Sequence, residues 1–201
     1  AEILSYSTAY IPLYLKVVLE ELRLRSSHES LTTDIQGLMS HDSVQVLFTS
    51  QLMQTWDNDY GYGEHPHLAS QALSLIAASR AGLSEYELSF LLASDTDTFD
   101  ANTQKPRLAT VTLTRLLAVL NPYMLRRNDR IDIMHNGIQQ AAVAKLDSIN
   151  LVRQKLISYF NHPSEGFHIA ERCHQRVQLL TTQAELAEVY KQQLMDELSN
   201  L

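Results

Sequence analysis

The stretch "AGLSEYELSFLL", residues 81 to 92, constrains the fold more than any other part of the chain. Ser84 and Glu87 stand three residues apart, the spacing at which an N-cap hydroxyl and a glutamate satisfy each other's backbone N–H groups. Leu83 and Leu88 flank them at the positions of a hydrophobic staple, so a helix opens here with a fixed entry angle. Upstream, Ala69, Ala72, Leu73 and Ile76 recur at helical spacing before Gly82, a residue suited to a left-handed helix end. Together these signals predict a helix-turn-helix. After a polar loop over 93–107, Leu113, Leu116, Leu117 and Leu120 predict a third helix stopped by Asn121 and Pro122. "YMLRR" and "RIDIM" then read as strands joined through Asn128 and Asp129, which tolerate the backbone of a tight hairpin. Three helices followed by a hairpin predict a winged helix.

The flanking segments read as helical. Pro12 suits the first turn of a helix, because its missing N–H would be unpaired there anyway. Leu15, Val18, Leu19 and Leu22 follow as its apolar face to about Arg25, with Glu21 on the outer side four residues before Arg25. A brief helix is expected near 29–39, and another through Val44, Leu47, Phe48, Leu52 and Trp56. "NDYGYGEHPH", 58–67, has the glycines and proline of a linker. Beyond the hairpin, Asn136 is placed to cap a helix over 137–146, with Gln139 reaching back, and "DSINLVRQKLISYF" continues through Val152, Leu156 and Phe160 until Pro163. Two further helical stretches follow, the last opened by Thr182 and Glu185 and carrying Leu186, Val189, Leu194 and Leu198. The expected fold class is mainly α. A helical segment (1–57) and linker (58–67) precede a winged-helix domain (68–136) and a C-terminal helical connector (137–201), which could begin a helical repeat array.

Composition narrows the functional classes. A formal charge of -7 argues against a surface that neutralises phosphates by mass action. A single cysteine, Cys173, excludes an internal disulfide and points to a reduced compartment, here the cytoplasm. No apolar run approaches membrane-spanning length and no basic, apolar leader opens the chain, so no membrane partner is expected. The abrupt start, with a helix within about a dozen residues, reads as a fragment cut from something longer.

No Walker A, G-x-G-x-x-G or G-x-S-x-G sequence is present, so this chain alone is not expected to hydrolyse ATP, and no catalytic residue is assigned. His65 and His67 flank Pro66, and Cys173 neighbours His168 and His174, but neither group has the count and spacing of a zinc site. Asp95, Asp97 and Asp100 read as a solvated loop rather than an acid–base pair. The predicted third helix carries one cation, Arg115, and the hairpin arginines Arg126, Arg127 and Arg130 are interspersed with Asp129 and Asp132. Nucleic acid is therefore disfavoured, although a winged-helix DNA-binding transcriptional regulator stays open as an alternative, as does a helical protein-interaction module. His135, at the strand–helix junction in "RRNDRIDIMHNGIQQAAV", has three readings. It holds a phosphate beside a helix N-terminus, it caps that helix, or it is a partly buried packing residue.

"IPLYLKVVLEELR", "ALSLIAASRAGLSEYELSFLL" and "LNPYMLRRNDRIDIMHNGIQQAAV", in this order, resemble the C-terminal half of the nucleotide-binding module of STAND ATPases, particularly NACHT proteins. The resemblance covers roughly residues 10 to 160. It implies a helical domain, a winged helix and a helical connector that follow a P-loop domain. Pro12 matches the family's proline that packs near adenine, with Ile11 before it in place of a small residue or asparagine. Met134, His135 and Asn136 match the Met-His-Asp motif whose histidine contacts the β-phosphate of bound ADP, with Asn in place of Asp. The resemblance thus implies Pro12 and His135 as nucleotide-binding residues, with ADP or ATP with Mg as ligands of the parent protein and none in the isolated chain; no metal site is expected from the histidine and cysteine spacing above. It further implies the P-loop domain of the same protein as partner, self-association on activation, and a protein partner through the C-terminal helices or downstream repeats. The function it implies is a nucleotide-dependent switch that controls autoinhibition and signalling in innate immunity, cell death or antiviral defence.

Overall fold

The computed structural model describes residues 3, 6–144, 149–161, 169–179, 188, 191, 192, 195 and 196. They are mainly helical, with one three-stranded antiparallel sheet. Helix α1 spans Pro12–Arg25 and opens at the proline, with Ile11 extended before it. Its inward face is Tyr14, Val17, Val18 and Glu21, whereas Leu19 is 50% exposed. Glu21 therefore faces in, contrary to its expected outer position, because the buried Tyr123 hydroxyl donates to its Oε1 at 3.0 Å. The hydroxyl of Tyr14 lies 2.6 Å from the Leu38 carbonyl and 2.9 Å from that of His41, which ties α1 to the end of α2 (Leu31–Met39).

The next helical run has three parts: α3 (Val44–Leu47), a π turn (Phe48–Leu52) and α4 (Met53–Tyr60). Val44, Leu47, Phe48, Leu52 and Trp56 are all buried, as their spacing predicts. The π turn has no such signature in the pattern. Where it begins, Thr49 and Ser50 bond back to the carbonyls of Gln45 (2.9 Å) and Val46 (2.6 Å), competing with the regular helical ladder. Phe48, Trp56 and Tyr123 pack ring to ring with centroids 5.2 to 5.6 Å apart.

Within 58–67, Tyr62 and His65 close a small backbone bridge, and the buried His65 sets Nε2 at 2.9 Å from Asp97 Oδ2. Asp57 accepts the backbone N–H and the hydroxyl of Ser70, so a side chain from α4 supplies the first-turn acceptor that α5 (Leu68–Ala78) lacks at its own N-cap. The hydrophobic core is continuous from Ala9 to Phe160 and includes residues on both sides of this segment.

Helix α5 ends at Ser79 rather than at Gly82. Gly82, at φ 76°, belongs to the turn into β1 (Leu83–Ser84), where a Cβ would stand 2.5 Å from the Ile131 carbonyl oxygen. The capping box of α6 (Glu85–Leu91) forms as predicted, with Leu83 and Leu88 fully buried beside it. Glu87 also takes Arg130 Nη2 at 3.0 Å, while Arg130 Nη1 donates to the Gly82 carbonyl at 2.6 Å, so one carboxylate serves both the helix start and the hairpin. Helix α7 (Thr110–Leu120) buries Leu113, Leu116, Leu117 and Leu120. Strands β2 (Met124–Arg127) and β3 (Arg130–Ile133) form the hairpin, with Asn128 at φ 57° in its turn. β1 pairs with β3, giving the order β1-β3-β2 and the register Leu83↔Ile131.

Helices α8 (Asn136–Ala144), α9 (Ile149–Phe160) and α10 (Ile169–Leu179) complete the described elements. Gln139 does not reach back to its own helix start. Its Nε2 donates to the Ala77 carbonyl at 3.0 Å, and Gln175 of α10 donates to that of Ala78 at 2.5 Å. The Glu171 carboxylate takes the Arg80 N–H at 2.9 Å, so side chains from α8 and α10 satisfy backbone groups at and just past the end of α5. The expected end of α8 at 146, the break at Pro163 and the opening of the last helix at Thr182 and Glu185 lie outside the described residues.

Candidate functional site

His135 sits between β3 and α8. The Met134 N–H reaches the Tyr123 carbonyl at 3.0 Å, which fixes the chain as it leaves the sheet. The His135 carbonyl accepts the N–H groups of Ile138 (3.0 Å) and Gln139 (3.1 Å), and its Nδ1 accepts that of Gly137 at 3.1 Å. His135 is thus the N-cap residue, and Asn136, expected in that role, is the first residue of the helix. An Nδ1 that accepts an N–H bears no proton, so the neutral ring carries its hydrogen on Nε2 as a donor. Among the described residues the ring makes no other hydrogen bond, and the residue is exposed rather than partly buried. Gly137 allows this geometry, since a Cβ there would lie 3.4 Å from the ring nitrogen and 3.3 Å from Val44 Cγ1.

Across from this cap lies the start of α1. Pro12 is its first residue, and Lys16 follows one helical turn later on the same side, its Nζ 3.9 Å from Met134 Sδ. Pro12, Leu13 and Lys16 from α1 meet His135 and Ile138 around one pocket of about 300 Å³. Pro122, Tyr123 and Met134 complete the wall. Pro12 and His135, far apart in the chain, therefore line the same cavity. Its walls are largely apolar, and the Tyr123 hydroxyl is turned to Glu21. The other polar side chains in the wall are those of Lys16 and His135, and among the described residues no carboxylate lines the pocket. Such a pocket suits a flat apolar body that carries an anionic group. Sequence reasoning missed Lys16, although its position four residues after Pro12 on a predicted helix was a usable signal.

Compared with protein-family models, curated proteins and solved structures, the chain finds no match.

The other candidates take up structural positions. Asp97 pairs with His65, and Asp100 accepts the N–H groups of Thr103 (2.9 Å) and Asn102 (3.0 Å) in its own turn. The bond from the Thr103 N–H, chiefly, holds the Asp100 carboxyl below the usual carboxylate range. Asp95 is exposed, as a solvated loop would have it, whereas Asp97 and Asp100 are partly buried by these contacts. His67 Nδ1 lies 3.7 Å from Asp57 Oδ2, Cys173 and His174 fall on α10, and His168 lies outside the described residues. Arg126 pairs with Glu85 at 2.7 Å and Arg130 with Glu87 at 3.0 Å, whereas Arg115 and Arg127 are exposed. A second pocket of about 320 Å³ lies between α1, α2 and the π turn, with Ser26, Ser30, Thr33, Asp34 and Gln51 in its wall. The hydroxyls of Ser26 and Ser30 hold the Asp34 carboxyl low, and none of the residues expected to bind nucleotide reaches this pocket.

Proposed function

We propose that the chain is the regulatory part of a STAND/NACHT-type nucleotide switch: a helical segment (1–57), a linker (58–67), a winged helix (68–136) and a helical connector (137–201). The observation that carries this reading is the shared pocket of Pro12 and His135. A nucleotide held on a P-loop domain would place its base against Pro12 and a phosphate against the His135 Nε2–H. ADP would then bridge the P-loop domain and the winged helix in the resting state. Exchange for ATP would release that bridge and free the winged helix to rotate and self-associate, because the ligand contacts the two states differently. The element order α5-β1-α6-α7-β2-β3, with β1 on β3, supports the winged-helix part. The side-chain contacts of Gln139, Gln175 and Glu171 around the end of α5 support the connector as the route by which movement would pass outward.

The reading requires a Walker A sequence in the polypeptide that carries this chain. It is tested there by His135→Ala, which should raise ADP release or basal self-association. Unchanged nucleotide exchange would refute the latch.

A further inference from the structure

We infer that Lys16 is the charge-selecting residue of this pocket, its ammonium pairing with a phosphoryl oxygen of a nucleoside diphosphate while the His135 Nε2–H holds a neighbouring oxygen. The inference deepens the nucleotide reading and rests on it. Among the described residues Lys16 is the only lysine or arginine in the pocket wall and no carboxylate is there to neutralise it. Its ammonium contacts the thioether of Met134 at 3.9 Å. A thioether is a weak acceptor and leaves the ammonium available for an anion. The chain as a whole carries a formal charge of -7, whereas this wall contributes one cation and, among the described residues, no carboxylate. The apolar remainder of the wall, with Pro12, Pro122 and Tyr123, matches a base or sugar better than a second charged group. A ligand that joins both chemistries uses the whole pocket, whereas inorganic phosphate or a nucleoside alone uses half of it.

The test uses the 201-residue chain with ¹³C-methyl-labelled methionine, so that the Met134 methyl reports on the pocket. ADP, adenosine and inorganic pyrophosphate are titrated separately into the wild type, Lys16→Gln, Lys16→Arg and His135→Asn. Although the resemblance implies no ligand in the isolated chain, the expected result here is saturable movement of the Met134 signal with ADP, weakened about five- to tenfold by Lys16→Gln and largely retained by Lys16→Arg. Adenosine should bind more weakly than ADP and be indifferent to Lys16→Gln. If ADP and adenosine bind alike and neither responds to Lys16→Gln, the charge-selecting role is overturned and the nucleotide pocket stands. If none of the three ligands moves Met134 up to tens of millimolar, the inference is overturned. The bridging reading then stands or falls separately on ADP release from the longer protein. Pyrophosphate binding as tightly as ADP would overturn the assignment to a nucleotide.

Discussion

Pro12, the first residue of α1, and His135, the N-cap of α8, line one pocket although they lie far apart in the chain. The same histidine therefore stands in two relationships. Its Nδ1 serves the helix, and among the described residues its Nε2 has no hydrogen-bond partner.

These two roles separate by substitution. His135→Asn keeps a side-chain acceptor for the Gly137 N–H and removes the Nε2–H, so it should leave stability within about 0.5 kcal/mol while weakening nucleotide contact. His135→Ala should lose both, with about 1 kcal/mol less stability in urea unfolding. Equal destabilisation by the two variants would deny the capping role.

Tyr123→Phe withdraws the hydroxyl that meets Glu21 at 3.0 Å in the core. The carboxylate loses a buried donor, and the expected cost is about 1–3 kcal/mol by denaturant midpoint. A change under about 0.3 kcal/mol would place the pair outside the stabilising core.

Gly82→Ala sets a side chain at φ 76° and against the Ile131 carbonyl. Both effects act on the turn between α5 and β1, and a loss of about 2 kcal/mol or more is expected in thermal or urea unfolding. Wild-type stability in this variant would show that the turn relaxes away from β3.

Tyr14 supplies a pH dependence. Burial pushes its hydroxyl above the ordinary tyrosine range, outweighing the lowering by its contact with His41. A pKa raised in the folded state means that the stability from the neutral hydroxyl is complete below about pH 10 and is lost as pH rises beyond it. Urea unfolding from pH 8 to 11 should show a fall at the alkaline end that is smaller in Tyr14→Phe, and parallel curves would contradict the assignment.

Two of the hairpin arginines are occupied by Glu85 and Glu87. Binding to duplex DNA should accordingly be absent at about 50 mM salt, as read by fluorescence anisotropy. Salt-dependent binding there would favour a DNA-binding regulator.

Local, periodic features are the legible part of this fold. The Ser84 and Glu87 box, its leucine staple and the four buried leucines of α7 depend on near neighbours and an apolar period, both visible in one dimension. Glu21 departs from its expected place because helix pairing rules put it beside Arg25, whereas a tyrosine far along the chain draws it inward. Gly82 reads as a helix end because its left-handed backbone is foreseeable but its partner, the β3 carbonyl, is not. At the site, asparagine outranks histidine as an expected cap, yet the imidazole Nδ1 accepts the bond. The meeting of Pro12 with His135 follows from no property of either residue. Only the resemblance pairs them, and Lys16, although spaced one helical turn from Pro12, is joined to His135 only by the folded pocket.

The most direct measurement is the rate of ADP release from a polypeptide that joins this chain to a P-loop domain, as the proposed function requires, compared between wild type and His135→Asn. With the cap retained and the Nε2–H removed, the account predicts release about tenfold faster at unchanged stability. Release at the wild-type rate, with the variant folded, would contradict the nucleotide latch.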